Sequence, residues 1–206
     1  MSAAYERFLE PLERDLRALP LRSLGLVFAF GAERLLPLYE SFAAAAGWGT
    51  PRVLRAALDW IWSPEEKIPP EGTLSWIDQI AQMTPNGDDH PTLEGLWAQD
   101  ACVATDSAVR GVGGLGIGAE AVWYCFEPLH ATICDELTGA LDVGSGADAE
   151  ETERRVITDP RMLTEMGEFV KVVGILRREA GADVEVKTLA EASRWSPEKI
   201  RRIGQE

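Results

Sequence analysis

LRSLGLVFAFGAERLLPLYESFAAAA, residues 21–46, is apolar on nearly every side over its first half, so a helix made from it belongs in an interior. Pro37 is expected to break this run into two pieces and Gly47 to Gly49 to end it. Upstream, Tyr5, Phe8, Leu9, Leu12, Leu16 and Leu19 recur at three- and four-residue steps, which is one face of a helix kinked or restarted at Pro11. Downstream, Thr50 and Pro51 form a cap and first-turn proline for a helix carrying Val53, Leu54, Ala57, Leu58, Ile61 and Trp62. Residues 63–72 contain three prolines and read as a loop, 73–83 as a short helix and 85–91 as a second loop. Further helices are expected over 92–109, over 118–141 with a kink at Pro128, over 149–157, and from Asp159 and Pro160 to Gly181. Only Val184 to Val186 has marginal strand character. The fold class read from this pattern is all-α: a compact single-domain bundle of seven to nine helices over 1–206, some proline-kinked, with 182–206 a short helix-turn-helix-like tail packed on it.

Composition agrees with that picture. At 206 residues and 46% hydrophobic, the chain can bury about 70% of the surface it exposes when unfolded, so no staples are required. No charged segment followed by an apolar core opens the sequence, and the longest apolar run, Leu24 to Ala32, is shorter than the roughly 20 residues of a membrane span. A cytoplasmic location, with no membrane contact, is the expectation. Cys102, Cys125 and Cys134 lie within apolar-periodic segments and form no C-x-x-C pair, so they read as buried free thiols.

The net charge of -14 is concentrated. Residues 64–100 carry one basic and eight acidic side chains and residues 120–159 two and ten, while the rest of the chain nearly balances. Such a field repels nucleic acid, whose binding relies on Lys and Arg displacing counterions, and favours a basic protein partner. The candidate partner-binding residues are Glu65, Glu66, Glu71, Asp78, Asp88, Asp89 and Glu94 in the first block. Asp135, Glu136, Asp142, Asp148, Glu150 and Glu151 are those of the second. Acidity that merely keeps the protein soluble is the plain alternative.

Several motifs yield to structural readings. Gly111-Val-Gly-Gly-Leu-Gly116 matches the letters of a dinucleotide loop, but it follows a helix-like segment where a nucleotide fold needs a strand, so it reads as a helix-to-helix connection. Glu127-Pro-Leu-His130 has the spacing of a di-iron ligand pair, yet His90 is the sole other histidine and lies in a loop, so no metal or other cofactor is expected. Two histidines allow no defensible Ser-His-Asp order, and no catalytic residue is assigned. In the tail, Leu189 to Ile203 has helix-turn-helix spacing, but Arg194 replaces the usual turn glycine and five basic residues face five acidic ones.

Three blocks carry a family resemblance: Glu33-Arg34-Leu-Leu-Pro37-Leu-Tyr39-Glu-Ser-Phe42, Arg55-Ala-Ala-Leu58-Asp59-Trp-Ile61-Trp62, and Asp100-Ala101-Cys102-Val-Ala104. With Asp159-Pro160 and Glu165 to Leu176, they resemble the YjaG-like proteins, a bacterial family of unknown function, over roughly residues 5–180. The resemblance implies an all-helical fold and no catalytic residue, cofactor or substrate. Glu33, Arg34, Asp59 and Asp100 are charges embedded in apolar runs. They read as a buried charge cluster, with Arg34 paired to Asp59 or Asp100, or else as the lining of a cleft.

Three functions follow as expectations. The first is a non-catalytic binding protein that presents an acidic face to a basic partner, in its concrete form an immunity or antitoxin-like inhibitor of a toxin. The second is a small-molecule or metal-dependent enzyme built on inward-facing carboxylates, and the third a DNA-binding regulator acting through the tail. Homo-oligomerisation stays open.

Overall fold

The computed structural model describes residues 3–63, 70–140 and 147–178. Among these the chain forms α1 (Ala3–Arg17), α2 (Leu21–Ala46), α3 (Pro51–Trp62), α4 (Pro70–Met83), α5 (Leu93–Val112), a 3-10 segment (Ala119–Cys125), α6 (Glu127–Thr138), α7 (Ala147–Ile157) and α8 (Pro160–Arg178), with no strand. The fold is all-α, as the periodicity indicated. The helix-turn-helix-like tail and Val184 to Val186 lie outside the described residues.

The centre is α2, whose residues from Leu24 to Leu36 are all buried, against α5. Full burial of each large apolar side chain there contributes about 1.5–3 kcal/mol. Pro37 does not split α2, which runs unbroken past it. Its ring costs one backbone hydrogen bond, and burial on all sides of the helix outweighs that loss. Pro11 likewise lies inside a continuous α1, whose buried face is Tyr5, Leu9, Leu12 and Leu16. Gly47, in the left-handed conformation at φ 62°, closes α2 as the sequence indicated. Pro51 starts α3, although the Thr50 side chain makes no cap bond, whereas Thr92 caps α5 by accepting from the Gly95 N–H at 3.1 Å.

The expected single helix over 118–141 is instead two elements. Residues 119–125 wind as a 3-10 segment, and α6 begins at Glu127 with Pro128 in its first turn. A proline there loses no hydrogen bond it needed, so it starts the helix rather than kinking it.

α5 is rich in small residues on its buried side, among them Ala98, Ala101, Ala104 and Ala108, which lets its backbone approach α2 closely. The approach is tightest at Gly25 and Gly111, where a Cβ on Gly111 would lie 2.5 Å from the Gly25 Cα. Gly111 is thus a helix-crossing residue inside α5 rather than part of the expected helix-to-helix connection. Gly111→Ala should destabilise the protein by about 1–3 kcal/mol, because the backbone of Gly25 stands in the way, with the Ile117 side chain beside it, and must move. Gly116→Ala, which meets open space, should change stability little in the same urea titration. Equal effects of the two would refute the crossing role.

Candidate functional site

The first acidic block is displayed outward. Asp78 is exposed on α4, Asp88 and Asp89 are exposed on the connection to α5, and Glu94 is exposed in the first turn of α5. None of the four has an ion-pair partner among the described residues. The connection is shaped by Asn86: its carbonyl accepts from the N–H groups of Asp89 (3.1 Å) and His90 (3.0 Å), and its side-chain oxygen accepts from Asp88 N–H (3.1 Å). His90 turns back, its ring 5.1 Å from Phe42 and 5.4 Å from Trp48. The carboxylates thereby face solvent on a loop pinned to the end of α2. Glu65 and Glu66 lie outside the described residues, and Glu71 belongs to α4.

The second block is partly neutralised. Glu136 accepts from Arg161 at 2.9 and 2.6 Å, and Glu151 pairs with Arg154. Arg161 also holds Asp159 at 3.0 Å; burial pushes that carboxyl up, but hydrogen bonds from Arg161 outweigh it and leave it below the usual range. Asp135, Asp148 and Glu150 are exposed and have no ion pair among the described residues; Asp142 lies outside them. Among the described residues α4 packs on α3 and α5, while α7 packs on α1, α6 and α8. α4 and α7 thus have no substantial contact with each other, whereas α5, which carries Glu94, packs on α6, which carries Asp135 and Glu136.

Of the embedded charges, Glu33, Arg34 and Asp100 are buried and Asp59 is not, its side chain being 60% exposed. Arg34 pairs with Glu165 of α8, which the sequence reading did not single out as its partner. Arg34 Nε donates to Glu165 Oε1 at 2.5 Å and Nη2 to Oε2, so both oxygens of the carboxylate are engaged. The guanidinium also lies over the Phe30 ring, 4.9 Å from its centroid. Glu33, one residue earlier, accepts from Arg55 at 2.7 and 2.5 Å and from Trp62 Nε1 at 2.9 Å. Asp59 joins Arg55 at 2.9 Å from the solvent side. Neighbouring residues of α2 therefore fasten it to two different helices, α3 through Glu33 and α8 through Arg34. A signal for Glu165 existed: it occupies the same buried face of α8 as Met162, Phe169, Val172 and Leu176.

Asp100 sits apart from this pairing. Burial, and secondly the charge of Glu127, pushes its carboxyl up to about 8, so it holds a proton at neutral pH. His130 Nε2 lies 3.0 Å from Glu153 Oε1 on α7, a buried link between α6 and α7. Among the described residues no group of three or more His, Cys, Asp or Glu side chains is arranged to hold a metal. None of the three cysteines forms a disulfide, and all are buried. Burial pushes the Cys102 thiol up to about 12 and raises Cys125 as well, which removes both as thiolate nucleophiles. No helix among the described residues is long and apolar enough to cross a membrane.

A family model described as "Protein of unknown function (DUF416)" matches residues 11–118. Among solved structures, the chain is similar to a DUF416 family protein from Shewanella baltica OS155, with 22% identity and a TM-score of 0.68 over 88% of this chain and 92% of that one. At that identity the likeness is one of fold. No curated protein matches the sequence.

Proposed function

The chain belongs to the DUF416 family, and on that footing we propose that it is a non-catalytic binding protein that presents Asp78, Asp88, Asp89 and Glu94 to a basic protein partner. One observation carries the reading: four exposed carboxylates within residues 78–94, all inside the family-matched stretch and none with a counter-ion among the described residues. Electrostatic steering by such a face raises association rates by about tenfold to a thousandfold. The second block is the lesser contributor, since Arg161 and Arg154 already occupy Glu136 and Glu151. In its concrete form the protein is a cytoplasmic, YjaG-like inhibitor of the immunity or antitoxin type, covering a basic effector.

The test is co-purification from the native host with the full chain as bait. A basic protein should be retained at low salt and released at about 0.5 M, where the Debye length falls to about 4 Å. The variant Asp78→Asn, Asp88→Asn, Asp89→Asn, Glu94→Gln should retain none of it. A partner indifferent to salt, or one that binds this variant as well as the parent, overturns the proposal.

A further inference from the structure

α7 is thinly held. Among its described residues only Glu153 and Val156 are buried, with Ile157 half-buried beside them, while Asp148, Glu150, Glu151, Arg154 and Arg155 are exposed. α8, by contrast, buries Met162, Phe169, Val172, Val173 and Leu176. One buried valine does not offset the conformational entropy lost in ordering 11 residues, so α7 depends on its polar anchor. That anchor is weak. Glu153, 1% exposed, meets His130 Nε2 at 3.0 Å, and the other ring nitrogen, Nδ1, is buried without a hydrogen-bond partner. Desolvating a carboxylate and an imidazole is costly, and a single hydrogen bond beside an orphaned nitrogen offsets little of that cost. The seam with α1 is loose as well: an open groove of about 340 Å³ runs along it, lined by Ala4, Arg7 and Phe8 of α1 and by Glu150, Arg154 and Ile157 of α7.

One end of α7 is nevertheless fixed. Asp159, just beyond its last turn, is held by Arg161, which also grips Glu136 of α6. Beneath the helix lie Tyr5 of α1 and His130 of α6, both buried, with their rings 4.5 Å apart. Burial, and then the charges of Glu127, Glu153 and Asp100, raise the Tyr5 hydroxyl well above its ordinary value, so it stays neutral under this cover. We propose that α7 is a lid, opening as one unit from the joint at Thr158 and Asp159 while the rest of the bundle stays folded, and thereby uncovering Tyr5 and His130. Freed, a helix of 11 residues is too short to persist in water, so lifting and unwinding coincide. Such an opening has its own free energy, smaller than that of global unfolding. The lid is independent of the acidic face on α4 and α5.

Hydrogen exchange of the full chain, followed by mass spectrometry at neutral pH, tests the proposal. Amides of α7 should be protected at least about tenfold less than those of α2 and α5, which exchange on global unfolding. In about 1 M urea the protection of α2 and α5 should fall at least about tenfold, whereas that of α7 should change by less than about threefold, because lifting one helix exposes little surface. Val156→Ala removes the apolar anchor without touching the Glu153–His130 contact, and should speed exchange in α7 about tenfold. Modification of His130 by diethyl pyrocarbonate, located by peptide mapping, should accelerate by the same factor, since the buried ring is reached only when α7 lifts. Protection of α7 within about tenfold of that of α2 and α5, protection that falls with urea as theirs does, or a His130 rate that does not follow α7 exchange in Val156→Ala, overturns the lid.

Discussion

Glu165→Ala is expected to destabilise the protein by about 3–5 kcal/mol, which for a chain of this size lowers the melting temperature by about 6–20 °C. The reason is asymmetry between making and breaking a buried pair. Arg34 is 4% exposed and Glu165 3%, so water cannot replace the carboxylate once it is removed, and the guanidinium stays charged in an apolar surround. Arg34→Met combined with Glu165→Leu should recover most of the loss, because two apolar side chains of similar volume carry no desolvation cost, and methionine also packs well on the Phe30 ring. Thermal denaturation of the parent, the single variant and the double variant measures this. A single variant within about 1 kcal/mol of the parent would contradict the buried-pair assignment, since that is the size of an exposed pair.

The second large effect is a pH dependence centred on Asp100. Its carboxyl titrates at about 8 in the folded protein and near 3.9 in an unfolded chain, so between these values the folded state keeps a proton that the unfolded state has lost. Stability from this group is therefore fully present below about pH 4, falls by about 1.4 kcal/mol per pH unit as the pH rises, and levels off above about 8. The groups whose charges bear on this region are Tyr5 on α1, Cys125 on the 3-10 segment and Glu127 on α6. Asp100→Asn cannot ionise. Its advantage in stability over the parent should grow by about 4 kcal/mol between pH 5 and pH 9. Urea titrations at pH 5, 7 and 9 read the difference directly. Stability curves for parent and variant that run parallel across this range would show that the folded protein holds Asp100 ionised throughout it, with its carboxyl not raised.

Periodicity alone placed α1, α2, α3 and α8 and the inward faces of each, because alternation of apolar and polar residues along a helix is a local property. It also indicated that Glu33, Arg34 and Asp100 are interior. It misplaced Asp59, although the spacing of Leu54, Ala57, Leu58 and Ile61 already put that residue on the outer side of α3. The expected break at Pro37 weighed a local cost without the burial that offsets it, and the expected kink at Pro128 missed that a proline in a first turn has nothing to disrupt.

The acidic candidates were legible as composition, but their standing was not. Asp78, Asp88, Asp89 and Glu94 look no different in the sequence from Glu136 and Glu151, yet the latter two have arginine partners and the first four have none among the described residues. For Glu136 the partner is 25 residues away.

What the amino-acid sequence determined by itself was the helical class, the interior faces and the excess of negative charge, all of which follow from residues a few positions apart. Which buried charge meets which, where α2 and α5 touch backbone to backbone, and which carboxylates keep an open face were decided only by the tertiary structure. Arg34 and Glu165 are 131 residues apart, and hydrophobic spacing fixes which side of a helix turns inward without fixing what it turns toward.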